Sequence, residues 1–366
     1  MDAMRVKSGM KIHFLMTYNL NGLTGTPSRT KTTFEEVSKH TGAEVVLPEC
    51  LSGISFGSKR ATGFFTADGF FRQLFFPFKK TARLAVILLR LIRTRPKIIH
   101  CFLDDSAFVA CVYKIIFGAR VVFEAHAVAR NSSPLHFSFK EMVSCALSDK
   151  IIVMSNGMKE IFCREYGVRP EKIHVIWGPV DASEFCYEAP PKGKFIVGYG
   201  GNDSPYQGIG TILEAAAKLQ VNKKISFKLV GFDSSGYQKL PNVNYAGVVA
   251  GARKFAEELS GCSVFLSTYN RRFGAGAYPH KLSTYMCLGR PVIASDVSDC
   301  RMILEKADAG FIFMPGDADA LAAAISAAYA AGEKRLVEMG LNARKFAEKN
   351  FDSAGLYHKL EKIYFR

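Results

Sequence analysis

Pro279 to Ser295 reads PHKLSTYMCLGRPVIAS, and this stretch decides the fold. Pro279 suits the first turn of a helix, and Gly289 followed by Pro291 ends it. His280 and Lys281 set cationic groups where the free backbone N–H groups of a helix start point, so the start reads as an anion site. An apolar strand, CSVFLST (Cys262 to Thr268), precedes the helix, and another, PVIAS, follows it. Such a strand-loop-helix-strand unit puts its loop at the carboxyl edge of a parallel sheet, where open α/β sheets bind ligands.

The same grammar runs outward in both directions. IHFLMTY, AEVVL, KIIHCF, ARVVFEA, KIIVM and KIHVIW predict strands in the first half, with helices over Ser28 to His40, Lys80 to Arg95, Ser106 to Phe117 and Asn156 to Tyr166. KFIVGYG, SFKLVG, VNYAG, CSVFLST, PVIAS and GFIFM predict strands in the second, with helices near Gly208 to Leu219, Arg253 to Ser260 and Asp317 to Ala330. Alternating β and α implies parallel sheets with right-handed crossovers. At 366 residues the chain exceeds one comfortable core. EAPPKGK (Glu188 to Lys194) breaks the periodicity and reads as a linker. The expectation is an α/β chain of two Rossmann-like domains facing across a cleft, residues 1–189 and 190–352. Tail helices over Glu333 to Lys349 and Ser353 to Phe365 follow, the last packing back on the first domain.

Hydrophobic residues make up 48% and charged residues 22%, which describes a folded chain rather than a disordered one. The nine cysteines are scattered, with no C-x-x-C pair, and fit reduced core thiols in a cytosol better than disulfides or zinc. IHFLMTY is too short for a secretory signal and lacks a cleavage site. No apolar run reaches the roughly 18 residues of a membrane span, since Arg90 interrupts AVILLRLI. A cytoplasmic protein is expected.

Net charge is +15, and its placement says more than its sum. Between Lys59 and Lys97 lie ten Lys or Arg and one acid, Asp68, a net +9, interleaved with seven phenylalanines. The favoured reading is an anionic membrane surface, which makes the protein peripheral on the inner face of the plasma membrane. A solvated face over core phenylalanines is the plainer alternative, and nucleic acid is disfavoured because no recognised module accompanies the charge.

The second half opens with IVGYGGNDSPYQGIGTILEAAAKL, a strand, a glycine-containing loop and a helix. Gly200, Gly201 and Gly208 let backbone approach a ligand, while Asn202 and Gln207 offer amide contacts. Alone this is a weak phosphate loop, and a tight turn without ligand is its bland reading. Beside the PHKL helix it gains weight, since both loops fall at carboxyl ends of strands in one sheet and Lys281 adds a full charge to a diphosphate site.

With these residues in place, the chain resembles the retaining glycosyltransferases of the two-domain GT-B fold, in the family 4-like group ("glycosyl transferases group 1"). The resemblance rests on SDKIIVMSNGMKEIF from Ser148, GVRPEKIHVIWGPVDASEF from Gly167, YGGNDSPYQGIGTILEAAAKL from Tyr199, LPNVNYAGVV from Leu240 and PHKLSTYMCLGRPVIASD from Pro279. It implies a nucleotide sugar such as a UDP- or GDP-sugar as co-substrate and no cofactor. It further implies donor contacts from Gly200, Gly201, Asn202, Gln207, Tyr278, His280, Lys281, Thr284 and Tyr285, and an acceptor or phosphate loop at Asn21, Gly22 and Gly25. His126, just after ARVVFEA, is the expected catalytic residue, although a lone histidine is more often structural.

The departures are equally specific. Many members carry two glutamates with seven residues between them, the second binding the donor ribose; Gly276 and Thr284 occupy those places. The Arg and Lys that commonly grip donor phosphates appear as Asn202 and Gln207, which leaves that task to Lys281. Asp317 and Asp319 spell D-A-D, but PGDADALAAAI makes Asp317 a helix cap rather than a metal ligand, and no metal is expected. Asp104 and Asp105 read as caps too. The expectation is a metal-independent hexosyl-type transferase working in polysaccharide or glycolipid synthesis on a glycan or lipid-linked acceptor, with no nucleic-acid partner. A catalytically silent partner that binds nucleotide sugar or membrane is the alternative, and an epimerase of the same fold is disfavoured.

Overall fold

The computed structural model describes residues 12–15, 25–41, 44–46, 84–128, 139–185, 187, 193–249, 252–271, 274 and 276–366. Asn21, Gly22, most of the basic aromatic segment and most of the EAPPKGK linker lie outside them. The chain divides into two compact units: Met1–Val153 with Phe162–His174 and Tyr357–Arg366, and Met154–Ile161 with Val175–Leu356.

Unit 1 is built on β1 (Ile12–Leu15), α1 (Gly25–Ser38), β2 (Glu44–Val46), α2 (84–94), β3 (Ile98–Phe102), α3 (Leu103–Phe117), β4 (Arg120–Ala125), α4 (Phe139–Leu147), β5 (Lys150–Val153), the second part of α5 (Asn156–Tyr166), whose first part through Ile161 belongs to unit 2, and β6 (Ile173–Val175). Its sheet order is β2-β1-β3-β4-β5-β6. The central pairs run parallel, with Cys101 opposite both Leu15 and Phe123. β1 and β3 are buried at every position, as strands are when helices cover both faces of a parallel sheet.

Unit 2 carries β7 (Phe195–Gly200), α6 (Ile209–Lys218), β8 (Ile225–Val230), β9 (Val243–Gly247), α7 (Ala252–Ser260), β10 (Val264–Ser267), α8 (His280–Cys287), β11 (Val292–Ser295), α9 (Cys300–Ala307), β12 (Gly310–Phe313) and α10 (Ala318–Asn350). Its sheet order is β12-β11-β10-β7-β8-β9, again parallel. Val197, Leu229, Leu266 and Ile293 of the strands meet Ile212, Leu321 and Ile325 of α6 and α10 in one apolar core. The last helix, α11 (Leu356–Phe365), follows a 3-10 turn at Ser353–Gly355.

All twelve predicted strands are present, and the differences lie in the helices. α10 is two predicted helices that run on through one non-helical residue, Gly332 (φ 78, ψ 163). Asp317 caps α10 by accepting the Ala320 N–H at 2.8 Å. Asp104 and Asp105 are not caps: α3 starts at Leu103 without a side-chain cap, and both acids sit inside its first turn. There they oppose the positive end of the helix dipole, and Asp105 also accepts from Lys140 at 2.6 Å. α4 and α9 escaped the sequence reading because nine and eight residues give too few turns for a clear period.

Candidate functional site

In unit 2 the chain proceeds from β7 to β8 and β9 on one side, then restarts at β10 on the other side of β7 and continues to β11 and β12. Strand order therefore reverses between β7 and β10. The loops leaving their carboxyl ends flank the crevice where sheets of this kind bind ligands. The β7 loop begins at Gly200, and the β10 loop leads into α8.

Tyr285 of α8 ties the two together. Its hydroxyl accepts the Gly200 N–H and donates to the Gly200 carbonyl, both at 2.9 Å. Its ring stacks on Phe265 of β10 with centroids 4.6 Å apart. Gly201 then turns with φ 145, and a Cβ there would lie 2.5 Å from Lys281 Cε and 2.7 Å from its Nζ. Glycine is required at this point both for the backbone angle and for the room the lysine occupies.

The Lys281 ammonium donates to the Tyr199 hydroxyl at 2.6 Å and to Gln207 Oε1 at 2.5 Å. It lies 3.9 Å above the Tyr199 ring and 5.6 Å from that of Tyr269. Both hydrogen-bond partners are neutral. The side chain keeps a partly open edge, but burial of the charge pushes the lysine well below its ordinary pKa. An anion placed beside it would reverse that shift. The arrangement is a cation held on neutral supports at a sheet crevice.

Several expected contacts prove to be parts of this support. Gln207 is buried and holds the lysine. Tyr278 is buried with its hydroxyl 2.8 Å from Ser283 Oγ. The His280 ring packs edge-on against Tyr278 and so tightly on Gly178 that a Cβ there would lie 2.5 Å from Nδ1. Asn202 is exposed, and its side chain accepts the Ser204 N–H at 3.2 Å. Thr284 is half-buried, and its hydroxyl reaches the His280 carbonyl only at 3.5 Å. Gly276 is buried just before the helix.

Three residues that sequence reasoning passed over fix α8 and its surroundings. Buried Arg290 donates to the carbonyls of Cys262 and Ser260, each at 2.9 Å, and to those of Leu288 and Gly289. Arg344 Nη1 reaches the carbonyls of Cys287 and Phe185, both at 2.5 Å. Buried Asp299 accepts from the Asn156 backbone at 2.9 Å, from its side chain at 3.0 Å and from Trp177 Nε1 at 2.7 Å. Their only sequence signals were a cation next to Pro291 and an acid before a short helix, both too common to single out.

In unit 1, His126 follows directly on β4, and Gly25 opens α1 rather than lying in the preceding loop. His126 is 6% exposed, and its Nε2 lies 2.8 Å from Glu124 Oε1. Among the described residues no group of three or more His, Cys, Asp or Glu is placed to hold a metal ion, and no helix is long and apolar enough to cross a membrane.

Two family models match the chain: "Glycosyltransferase Family 4" over residues 57–184 and "Glycosyl transferases group 1" over residues 194–331. No curated protein matches in sequence. Among solved structures, the chain is similar to Anabaena HepE in complex with UDP, at 19% identity and TM-score 0.73, covering 97% of this chain and 99% of that one. It is similar to sucrose-phosphate synthase from Thermosynechococcus elongatus at 18% identity and TM-score 0.73, covering 97% and 98%. It is also similar to a glycosyltransferase from Rickettsia africae at 15% identity and TM-score 0.70, covering 98% of each. The two family segments, in this order on two parallel α/β sheets, make the chain a GT-B glycosyltransferase of the group 1 and family 4 kind.

Proposed function

We propose that the protein transfers a sugar, with retention at the anomeric carbon, from a nucleoside diphosphate donor to a glycan or lipid-linked acceptor at a cytoplasmic membrane face. The observation that carries this reading is Lys281 seated over Gly201 at the β7/β10 crevice. A lysine buried on neutral partners is poorly matched to an empty site and well matched to a diphosphate. As the sugar departs, negative charge gathers on the leaving diphosphate, so a preorganised cation and nearby N–H groups stabilise the transition state more than the ground state. Lys281 supplies that cation, and no metal is needed in this scheme. HepE, of similar fold, was crystallised with UDP and with UDP-glucose, which supports a UDP-sugar as the first donor to try.

Tyr285, Tyr278, Gln207 and Arg290 shape the donor site without being consumed, while Gly200, Gly201, Asn202, His280 and Thr284 border it. Asn21, Gly22 and Gly25 are proposed to meet the acceptor or phosphate, and His126 to contact the transferring sugar. Membrane attachment is proposed through the basic segment from Lys59 to Lys97, of which α2 carries Arg90 and Arg93 beside the exposed Leu89 and Ile92.

A second reading, a catalytically silent partner that only binds nucleotide sugar or membrane, draws on Gly276 and Thr284 standing where acids are common in relatives. One experiment separates the two. The protein is incubated with a panel of UDP- and GDP-sugars plus membrane extract, and released nucleoside diphosphate is measured. Release with at least one donor supports transfer; tight donor binding without release supports the silent partner; neither binding nor release removes both transfer and nucleotide-sugar binding.

A further inference from the structure

His126 ends a buried polar chain that the site in unit 2 does not use. Glu124, on β4, is 1% exposed. Its Oε1 accepts from Arg29 Nε at 2.6 Å and from His126 Nε2 at 2.8 Å, and its Oε2 accepts from His100 Nε2 at 3.2 Å. His100 Nδ1 lies 2.7 Å from the hydroxyl of Tyr364 on α11. Burial alone would raise the carboxyl pKa, but the Arg29 charge and the hydrogen bonds from both rings outweigh it and hold Glu124 well below the usual range. An ionised carboxylate only accepts. Each ring must therefore present an N–H at Nε2.

The consequence differs for the two rings. In a neutral imidazole whose Nε2 carries the proton, Nδ1 is a lone-pair acceptor. For His100 that lone pair takes the Tyr364 O–H. For His126, Nδ1 is buried and has no hydrogen-bond partner among the described residues, on a residue 6% exposed. Protonation does not resolve this, because burial first, and then the Arg29 charge, push His126 down despite the pull of Glu124. The ring is thus neutral near pH 7 with an acceptor to offer.

We propose that Glu124 is a positioning residue: it fixes His126 as the Nε2–H tautomer, so that Nδ1 accepts a hydrogen bond from a hydroxyl of the sugar being handled. This rests on the reading of His126 given above as a sugar contact. A hydroxyl donor, as sugars carry, fits Nδ1; with the proton on Nδ1 instead, the ring could only donate to that hydroxyl's oxygen.

The test has one readout that needs no activity. The full chain, labelled with ¹⁵N at its eight histidines, gives long-range ¹H–¹⁵N correlations that distinguish the tautomers, with His126 assigned by its loss in His126→Asn. The expected result is an Nε2–H pattern for His126 that persists from pH 8 to 6. In Glu124→Leu no acceptor faces either ring, so nothing holds the proton at His126 Nε2, and kcat should fall on the order of 100-fold with donor affinity within about twofold. Glu124→Asp should recover part of the loss. If the single change unfolds the protein, the pair Arg29→Met with Glu124→Leu keeps the charge balance and carries the same expectation. An Nδ1–H pattern in the unaltered protein overturns the inference whatever the activity. An Nε2–H pattern with Glu124→Leu transferring at the full rate overturns it while the proposed function stands. A Glu124-dependent Nε2–H pattern in a protein that turns over no nucleotide sugar removes the sugar role and the proposed function together.

Discussion

Replacing Lys281 with Met keeps most of the length and removes the charge. In the ligand-free protein the ammonium already donates to Tyr199 and Gln207 and covers the Tyr199 ring. A diphosphate therefore does not add hydrogen bonds to a bare lysine; it exchanges neutral acceptors for charged ones. The net gain of a charge-assisted bond over a neutral one is about 1–3 kcal/mol, so Lys281→Met should weaken UDP or GDP binding by about 5- to 150-fold. The pH dependence follows from the sign of the shift. Burial lowers the lysine in the free protein, and a bound diphosphate raises it, so binding takes up a proton between those two values. Affinity is fully present below the lowered free-state value and is lost as pH rises through it toward the raised value in the complex.

Calorimetry in two buffers of different ionisation enthalpy at mildly alkaline pH reads this uptake directly. The unaltered protein should take up protons on binding, and the Met variant should not. Stability moves the other way. A lysine whose folded pKa lies below its unfolded value costs stability while charged, and the cost fades as pH rises through the folded value. Lys281→Met should accordingly raise the ligand-free melting temperature near neutral pH, by about 2–4 °C for each kcal/mol relieved in a unit of this size. Unchanged diphosphate affinity together with no buffer dependence would refute the placement of the anion at Lys281.

His126→Ala should lower turnover far more than donor affinity, because the donor is proposed to be held by unit 2; equal losses in both would make His126 a structural residue. Tyr285→Phe breaks both hydrogen bonds to Gly200, and should destabilise the protein by about 1–2 kcal/mol in denaturant titration while weakening donor binding; a neutral effect would show that the glycine loop holds its own shape. Charge reversal at Arg83, Arg90 and Arg93 should reduce flotation with anionic liposomes, each cation being worth about 1 kcal/mol at most near such a surface, and high salt should do the same. Binding to neutral vesicles equally well, or to neither kind, would point to a soluble acceptor instead.

Much of this protein is legible in its sequence for a physical reason. Strands buried on both faces of a parallel sheet must be continuous apolar runs, and IIHCF, VFLS and VIAS announce themselves as such. Helix ends with glycine and proline, as at Gly289 and Pro291, are equally plain. What the sequence does not show is which polar residues face a ligand and which face each other. Gln207 and Tyr278 sit on the right loops, yet the structure spends them on Lys281 and Ser283. The Glu124 chain is assembled from α1, β3, β4 and α11, with His100 and Tyr364 separated by 264 positions in the sequence, so no local pattern could reveal it. Arg290 and Asp299 stay hidden for the same reason: their partners are backbone groups and side chains brought close only by folding.

Hydrogen exchange of the full chain with and without a saturating nucleoside diphosphate, UDP first, tests the central claim most directly. Slowed exchange should concentrate in two segments, 199–208 after β7 and 278–285 at the start of α8, and should shrink in Lys281→Met. Protection that falls elsewhere in the chain, or is absent from both segments at saturation, would contradict a donor diphosphate bound where strand order reverses between β7 and β10.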